Sequence, residues 1–272
     1  MTKYLFLCGV GRSGTTVFRT ALGQHPEIYY NGKENNAVHE ILKVAERNCT
    51  MESRKFAMEV DQDRYDEIFR QAIESLTWPD GKWLSLPARL AAINPAGDQL
   101  DYLRQVFPGS KIICLVRNGI EVVSSRMAFK SFAKGTFESH CEVWNRSQPV
   151  VNWGQENPDH FRMYRQEWFY QRDLLKERLD ETFRWAGLSP SDLSLNHITQ
   201  TLPHPTPGTA SIASGEFAAT SEDEKKQYFL SKRDRWASWN ADQRQMFVDK
   251  CGAFMEQLGY EIPWEVEAPP ET

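Results

Sequence analysis

The chain has 272 residues, 40% hydrophobic and 25% charged, with 15 Phe and 9 Trp, a composition that excludes general disorder and allows one large domain or two small ones. Lys and Arg total 32 against 37 Asp and Glu, so the net charge of −5 offers no global attraction for nucleic acid or an anionic membrane, and any anion site must be local. The longest apolar runs, such as Ile112 to Val116, fall far short of the ~20 residues that a membrane span needs.

Residues 3–8 form a short apolar run that ends in glycines, and a helical pattern follows from Thr15 to about Gly23, giving strand, tight loop and helix. The segment Tyr4–Cys8 is too short for the apolar region of a signal peptide, and the expectation is a cytoplasmic protein. Tyr65, Ile68, Phe69, Ala72, Ile73 and Leu76 recur at helical spacing, and Pro79-Asp80-Gly81 then breaks the chain before an expected strand over Lys82–Leu86. Leu100, Leu103, Val106 and Phe107 mark another helix, stopped by Pro108-Gly109. Lys111–Val116 is apolar on both faces, as a strand buried in a parallel sheet should be, and a helix follows from about Gly119 to Phe129.

Phe161–Arg165 is a further strand candidate, followed by a long polar helix that ends at Gly187, a residue suited to close a helix. The stretch at about 199–220 is rich in Pro and Gly and too long for an ordinary connection, so a mobile loop is expected there. Asn240 with Gln243 has capping-box spacing before a last amphipathic helix through Phe247, Cys251, Phe254, Met255 and Leu258. The alternation predicts an α/β fold: residues 1–272 as a single domain with a central parallel sheet flanked by helices. Five scattered cysteines without a C-x-x-C pair read as reduced structural thiols, with no metal site.

The chemistry concentrates in two segments. Gly9-Val10-Gly11-Arg12-Ser13-Gly14-Thr15-Thr16 keeps the spacing of a phosphate loop, except that Thr15 stands where the lysine belongs. Glycines let successive backbone N–H groups point inward, and the helix N-terminus adds partial positive charge, so the loop predicts an anion cradle. Losing the lysine weakens the case for a nucleotide hydrolase; Arg12 supplies the charge instead. The second segment, Arg117 to Arg126, begins at the end of the buried strand, where ligands of open α/β sheets sit, and carries Ser125 about two helical turns on.

Together the two segments resemble the sulfotransferase family, whose enzymes take a sulfuryl group from 3′-phosphoadenosine 5′-phosphosulfate (PAPS), and the resemblance spans most of the chain. Gly11-Arg12-Ser13-Gly14-Thr15-Thr16 is similar to the family's P-[KR]-S-G-T-T, with Gly11 for the proline, and Arg117 and Ser125 match its 3′-phosphate arginine and serine, with Asn118 for an aspartate. The resemblance implies a P-loop-like sulfotransferase fold and PAPS as donor. It also implies that Gly11, Arg12, Ser13, Gly14, Thr15, Thr16, Arg117 and Ser125 bind the donor, with Arg12 also acting in catalysis. Arg165-Gln166-Glu167-Trp168-Phe169 looks like the family's R-Y-E-D-L, and Leu258-Gly259-Tyr260 like its closing L-G-Y. The family's W-x-x-K-x-P lysine has no counterpart at Trp83–Pro87, and Arg89 is either its substitute or, the commoner case, a solvated residue opening a helix.

Residues 25–34, His25 to Glu34, resemble the tyrosylprotein sulfotransferase stretch that carries the acceptor's base, which falls on Glu34; His39 and Glu40 are the alternatives, and His25 reads as a capping or packing residue. The acceptor is a hydroxyl of a small molecule, a sugar or a tyrosine, with no metal, nucleic acid or membrane implied. Phe132, Phe137, Trp144, Trp153 and Phe161, interleaved with His140 and Arg146, either line an acceptor pocket or, more commonly, form core. The competing functions are a degenerate P-loop kinase or hydrolase and a noncatalytic nucleotide-binding protein.

Overall fold

The computed structural model describes residues 3–32, 38–44, 62–79, 85–94, 97, 99–132, 134–201 and 234–264. Glu34 and the stretch 202–233, which holds most of the expected mobile loop, lie outside the described residues.

Strands β1 (Lys3–Cys8), β2 (Ile28–Tyr29), β3 (Ala88–Ala92), β4 (Lys111–Val116) and β5 (Phe161–Arg165) form one sheet in the order β2-β3-β1-β4-β5. Every pairing is parallel; Leu7 lies opposite both Ala92 and Ile113. Burial on both faces explains why β1 and β4 read as continuous apolar runs. Phe6, Cys8, Ile112, Cys114 and Val116 face one hydrophobic cluster, whereas Leu5, Leu7, Ile113 and Leu115 face the other.

The first layer of helices comprises α2 (Gln62–Thr77), α3 (Gln99–Val106), α4 (Gly119–Ala128), α5 (Phe137–Asn145) and α6 (Ser147–Glu156), backed by the C-terminal helix Ala241–Gln257. The opposite face is covered by α1 (Thr15–Leu22), α7 (Arg172–Trp185) and α8 (Asp192–Thr201); in chain order the C-terminal helix is then α9. Its capping box is formed in both directions, Gln243 N–H donating to Asn240 Oδ1 at 2.9 Å and Asn240 N–H to Gln243 Oε1 at 3.0 Å. Gly187 closes α7 at φ +69°.

One expected element, the strand over Lys82–Leu86, lies mostly outside the described residues, and Ser85 and Leu86 are not in a strand. Strand β3 is Ala88-Arg89-Leu90-Ala91-Ala92, beyond the expected Lys82–Leu86. Its residue types favour helix by intrinsic propensity, but all five are buried between β1 and β2, and tertiary context overrides propensity. Two-residue β2 and helices α5, α6 and α8 are also additions to the sequence reading.

The topology fixes where a ligand can sit. From β1 the chain runs to β2 and β3 on one side, then crosses to β4 on the other, so the loops after β1 and β4 diverge at a switch point beyond the carboxyl ends of the strands.

Candidate functional site

The loop after β1 is built on backbone that side chains rarely adopt. Gly9 has φ +150°, and a Cβ there would stand 2.5 Å from the carbonyl oxygen of Leu115 in β4. Gly14 opens α1 at φ +88° without a side-chain cap, leaving the first N–H groups of the helix facing the loop. Between them Arg12 is held at φ +81°, the one non-glycine residue with positive φ among the described residues. Such a backbone costs on the order of 1–3 kcal/mol and persists only where its surroundings enforce it.

The enforcing contacts come from the segment after β4. Arg117 donates from one terminal nitrogen to the Arg12 carbonyl at 3.0 Å, and Arg12 Nε donates to Ser125 Oγ at 3.1 Å. The Arg12 guanidinium also lies over the Phe129 ring, 4.3 Å from its centroid. The two segments singled out in the sequence are therefore one structure, joined through both the main chain and the side chain of Arg12. Ser13 is fully buried within it, and its Oγ has no hydrogen-bond partner among the described residues.

Asn118 does not support Arg117 as an aspartate would. Its side chain caps α4, accepting from the N–H of Ile120 at 2.9 Å. The support comes from Glu121 one turn on, whose Oε2 accepts from Arg117 Nε at 2.8 Å and from a terminal nitrogen at 2.6 Å. Behind the turn, Glu167 accepts from Asn118 N–H and from Tyr260 Oη, both at 2.9 Å, and Arg165 donates to the Leu258 carbonyl. The closing Leu258-Gly259-Tyr260 segment thus braces the turn that presents Arg117. Burial, reinforced by Glu167, pushes the Tyr260 hydroxyl far above its ordinary value and keeps it a donor.

The remaining sequence candidates divide. Thr15 and Thr16 open α1 at the loop. His39 donates from Nδ1 at 3.0 Å to Oε1 of Gln99, which begins α3 at the same strand-end edge as the loop; Glu40 is exposed and paired with Lys43. His25 is structural as expected: it stacks on Phe183 at 4.3 Å and accepts the N–H of Glu27 at 3.1 Å. Trp144, Trp153 and Phe161 belong to the core.

Arg89 requires a correction. It is neither solvated nor in a helix but 4% exposed in β3, where it pairs with Glu74 at 2.6 Å and donates to Tyr4 Oη at 3.0 Å. Its sheet partners Tyr4 and Tyr29 put it toward the amino end of β1, the end away from the loop, so it cannot replace the missing lysine.

Sequence reasoning missed Glu121, the Glu167–Tyr260 brace and the residue after Ser125. Arg126 is 9% exposed, stacks 4.3 Å from the Phe132 centroid and donates from Nε to His140 Nδ1 at 3.4 Å. The available signal was a cation in the otherwise apolar and small-residue run Val122–Met127.

A family model described as "Sulfotransferase family" matches residues 5–165, which hold both segments. Protein-tyrosine sulfotransferase 1 of Danio rerio is 29% identical over 150 residues, covering 53% of this chain and 41% of that protein. Protein-tyrosine sulfotransferase 2 of Gallus gallus is 27% identical over 203 residues, covering 71% and 53%. The chain thus spans about half or less of the length of the curated relatives it matches. Among solved structures, the sulfotransferase domain from the Synechococcus PCC 7002 olefin synthase superposes with a TM-score of 0.55 at 14% identity, covering 96% of each chain. The sulfotransferase domain from the curacin biosynthetic pathway does so at 0.53, with 14% identity, over 97% of this chain and 99% of that one.

Proposed function

The chain belongs to the sulfotransferase family, and on that footing we propose that it transfers a sulfuryl group from PAPS to a hydroxyl of an acceptor. The observation that carries the proposal is the double tie of Arg12 to Arg117 and Ser125, which couples a phosphate cradle to a second cationic site at the switch point. A nucleotide with phosphate at both its 5′ and 3′ positions matches that pairing. The residues suit the donor: positive φ at Gly9 and Gly14 gives the turned backbone of an anion-binding loop, and the buried Ser13 hydroxyl, without a partner among the described residues, suits a phosphate oxygen.

In the transfer, the acceptor oxygen forms a bond to sulfur as the bond from sulfur to the bridging phosphate oxygen breaks. The electron pair leaves with adenosine 3′,5′-bisphosphate, and the acceptor's proton passes to a base. Arg12, the loop amides and the hydroxyls of Thr15 and Thr16 stabilise charge developing on the leaving phosphate. Arg117 and Ser125 hold the 3′-phosphate. Glu34 is the base we propose, with His39 as its competitor. The relatives' names point to a tyrosine hydroxyl as the first acceptor to assay.

Thermal unfolding with adenosine 3′,5′-bisphosphate, AMP and ATP–magnesium tests the reading. At about 100 times Kd, specific binding adds about 2.7 kcal/mol, which is several degrees in Tm. Stabilisation by ATP–magnesium but not by the bisphosphate would refute it.

A further inference from the structure

Arg126 is a buried cation that none of the described residues neutralises. No carboxylate lies within ion-pair distance of it among the described residues; its contacts are the Phe132 ring and His140 Nδ1. Burial first, then repulsion from Arg146 and Arg12, holds its pKa below the usual value. Because an arginine Nε–H can only donate, His140 Nδ1 must accept, so His140 is neutral with its proton on Nε2. That imidazole is 2% exposed and packs against Gly135, where a Cβ would stand 2.7 Å from its Cε1. His140 therefore fixes the Nε edge of the guanidinium, while the two terminal nitrogens have no hydrogen-bond partner among the described residues. One of them lies 3.5 Å from where a Cβ on Gly11 would stand, at the lip of the phosphate loop.

An unpaired buried charge is strongly unfavourable unless a ligand completes it. The family's lysine is absent from Trp83–Pro87, and Arg89 points into an ion pair elsewhere. We propose that Arg126, positioned by His140, binds the sulfuryl oxygens of the donor at the Gly11 lip of the loop, supplying the cation that the missing lysine does not. This rests on the PAPS reading given above. Arg126 is thus a donor-binding residue distinct from the 3′-phosphate pair, although it follows Ser125 directly in α4.

The test compares Kd for PAPS and for adenosine 3′,5′-bisphosphate, which lacks the sulfuryl group, in the unmodified chain, Arg126→Met, His140→Leu and His140→Asn. Loss of charge-assisted hydrogen bonds should weaken PAPS by ~10- to 150-fold in Arg126→Met and leave the bisphosphate within about twofold. Retained bisphosphate binding also shows that the variant is folded. His140→Leu should lose the same discrimination in part, and His140→Asn, whose Oδ1 can replace Nδ1 as acceptor, should restore it. Equal losses for both ligands, or none for PAPS, overturn the assignment. So does a loss that appears only in KM for an anionic acceptor and not for a neutral one, because the anion then belongs to the acceptor. If the unmodified chain fails to bind the bisphosphate, the PAPS reading falls and this one with it; binding by the unmodified chain with PAPS unaffected in Arg126→Met sinks Arg126 alone.

Discussion

Replacing Arg117 by Ala separates the contact that its guanidinium makes with Arg12 from the phosphate-binding role proposed for it. One terminal nitrogen holds the Arg12 carbonyl at 3.0 Å, Nε and the other terminal nitrogen bind Glu121, and the N–H groups left over are those proposed for the 3′-phosphate. Losing the tie to Arg12 relaxes a loop that every 5′-phosphate ligand uses, at about 1 kcal/mol, the net worth of an ordinary hydrogen bond and about fivefold in affinity. Losing the contact with the 3′-phosphate costs about 1.5–3 kcal/mol more, because that bond is charge-assisted. Calorimetric titration at fixed ionic strength should therefore show AMP weakened about fivefold and the bisphosphate weakened a further ~10- to 150-fold. Glu121→Gln is the companion variant: it removes an anion beside the 3′-phosphate and should tighten the bisphosphate by about fivefold or less. Equal losses for AMP and the bisphosphate in Arg117→Ala would show that Arg117 only shapes the loop, and the 3′-phosphate assignment would fail.

Other consequences are open to direct measurement. Arg89→Met leaves Glu74, in a largely buried position, with only the Tyr4 hydroxyl and no paired cation among the described residues, and should cost about 3 kcal/mol in urea unfolding; bisphosphate binding should persist, since the pair lies at the far end of the sheet. Burial first and Arg126 second depress the His140 pKa below the ordinary imidazole value of 6.5. A depressed folded value means that its contribution to stability is present above the unfolded pKa and lost as pH falls below about 6.5 through the folded one. The difference in unfolding free energy between the unmodified chain and His140→Asn should thus shrink toward pH 5, and a difference independent of pH would show that His140 does not titrate differently on folding. Glu34→Gln should lower kcat about 10²- to 10⁴-fold with the bisphosphate Kd unchanged; an inactive His39→Asn beside a normal Glu34→Gln would move the base to the helical residues 38–44.

Strand β4 is legible to the residue because burial on both faces leaves an apolar run bounded by breakers, and β5 is marked by Phe161, Met163 and Tyr164 after the breaker Pro158. Helix α9 is legible from its cap, a local interaction. Strand β3 is not: Ala-Arg-Leu-Ala-Ala carries no strand signal, and only its place between β1 and β2 makes it one. The same holds within the site. The spacing of Gly9 to Thr16 and of Arg117 to Ser125 is local and can be read from the chain. That Glu121 takes over the support of Arg117, or that Arg126 has no counterion among the described residues, depends on what folding brings alongside, which no spacing encodes.

The brace from Tyr260 through Glu167 to Asn118 links positions more than 140 residues apart in sequence to the turn that aims Arg117. The turn's geometry consequently depends on the chain beyond α9 having been made and docked, so an emerging polypeptide carries both phosphate segments long before it can hold them in register. Ligand competence should arrive late and all at once. A cut between α9 and Tyr260 should loosen the nucleotide site while leaving most of the sheet standing, and hydrogen exchange at Tyr260 should slow when the bisphosphate binds, although the two need never touch.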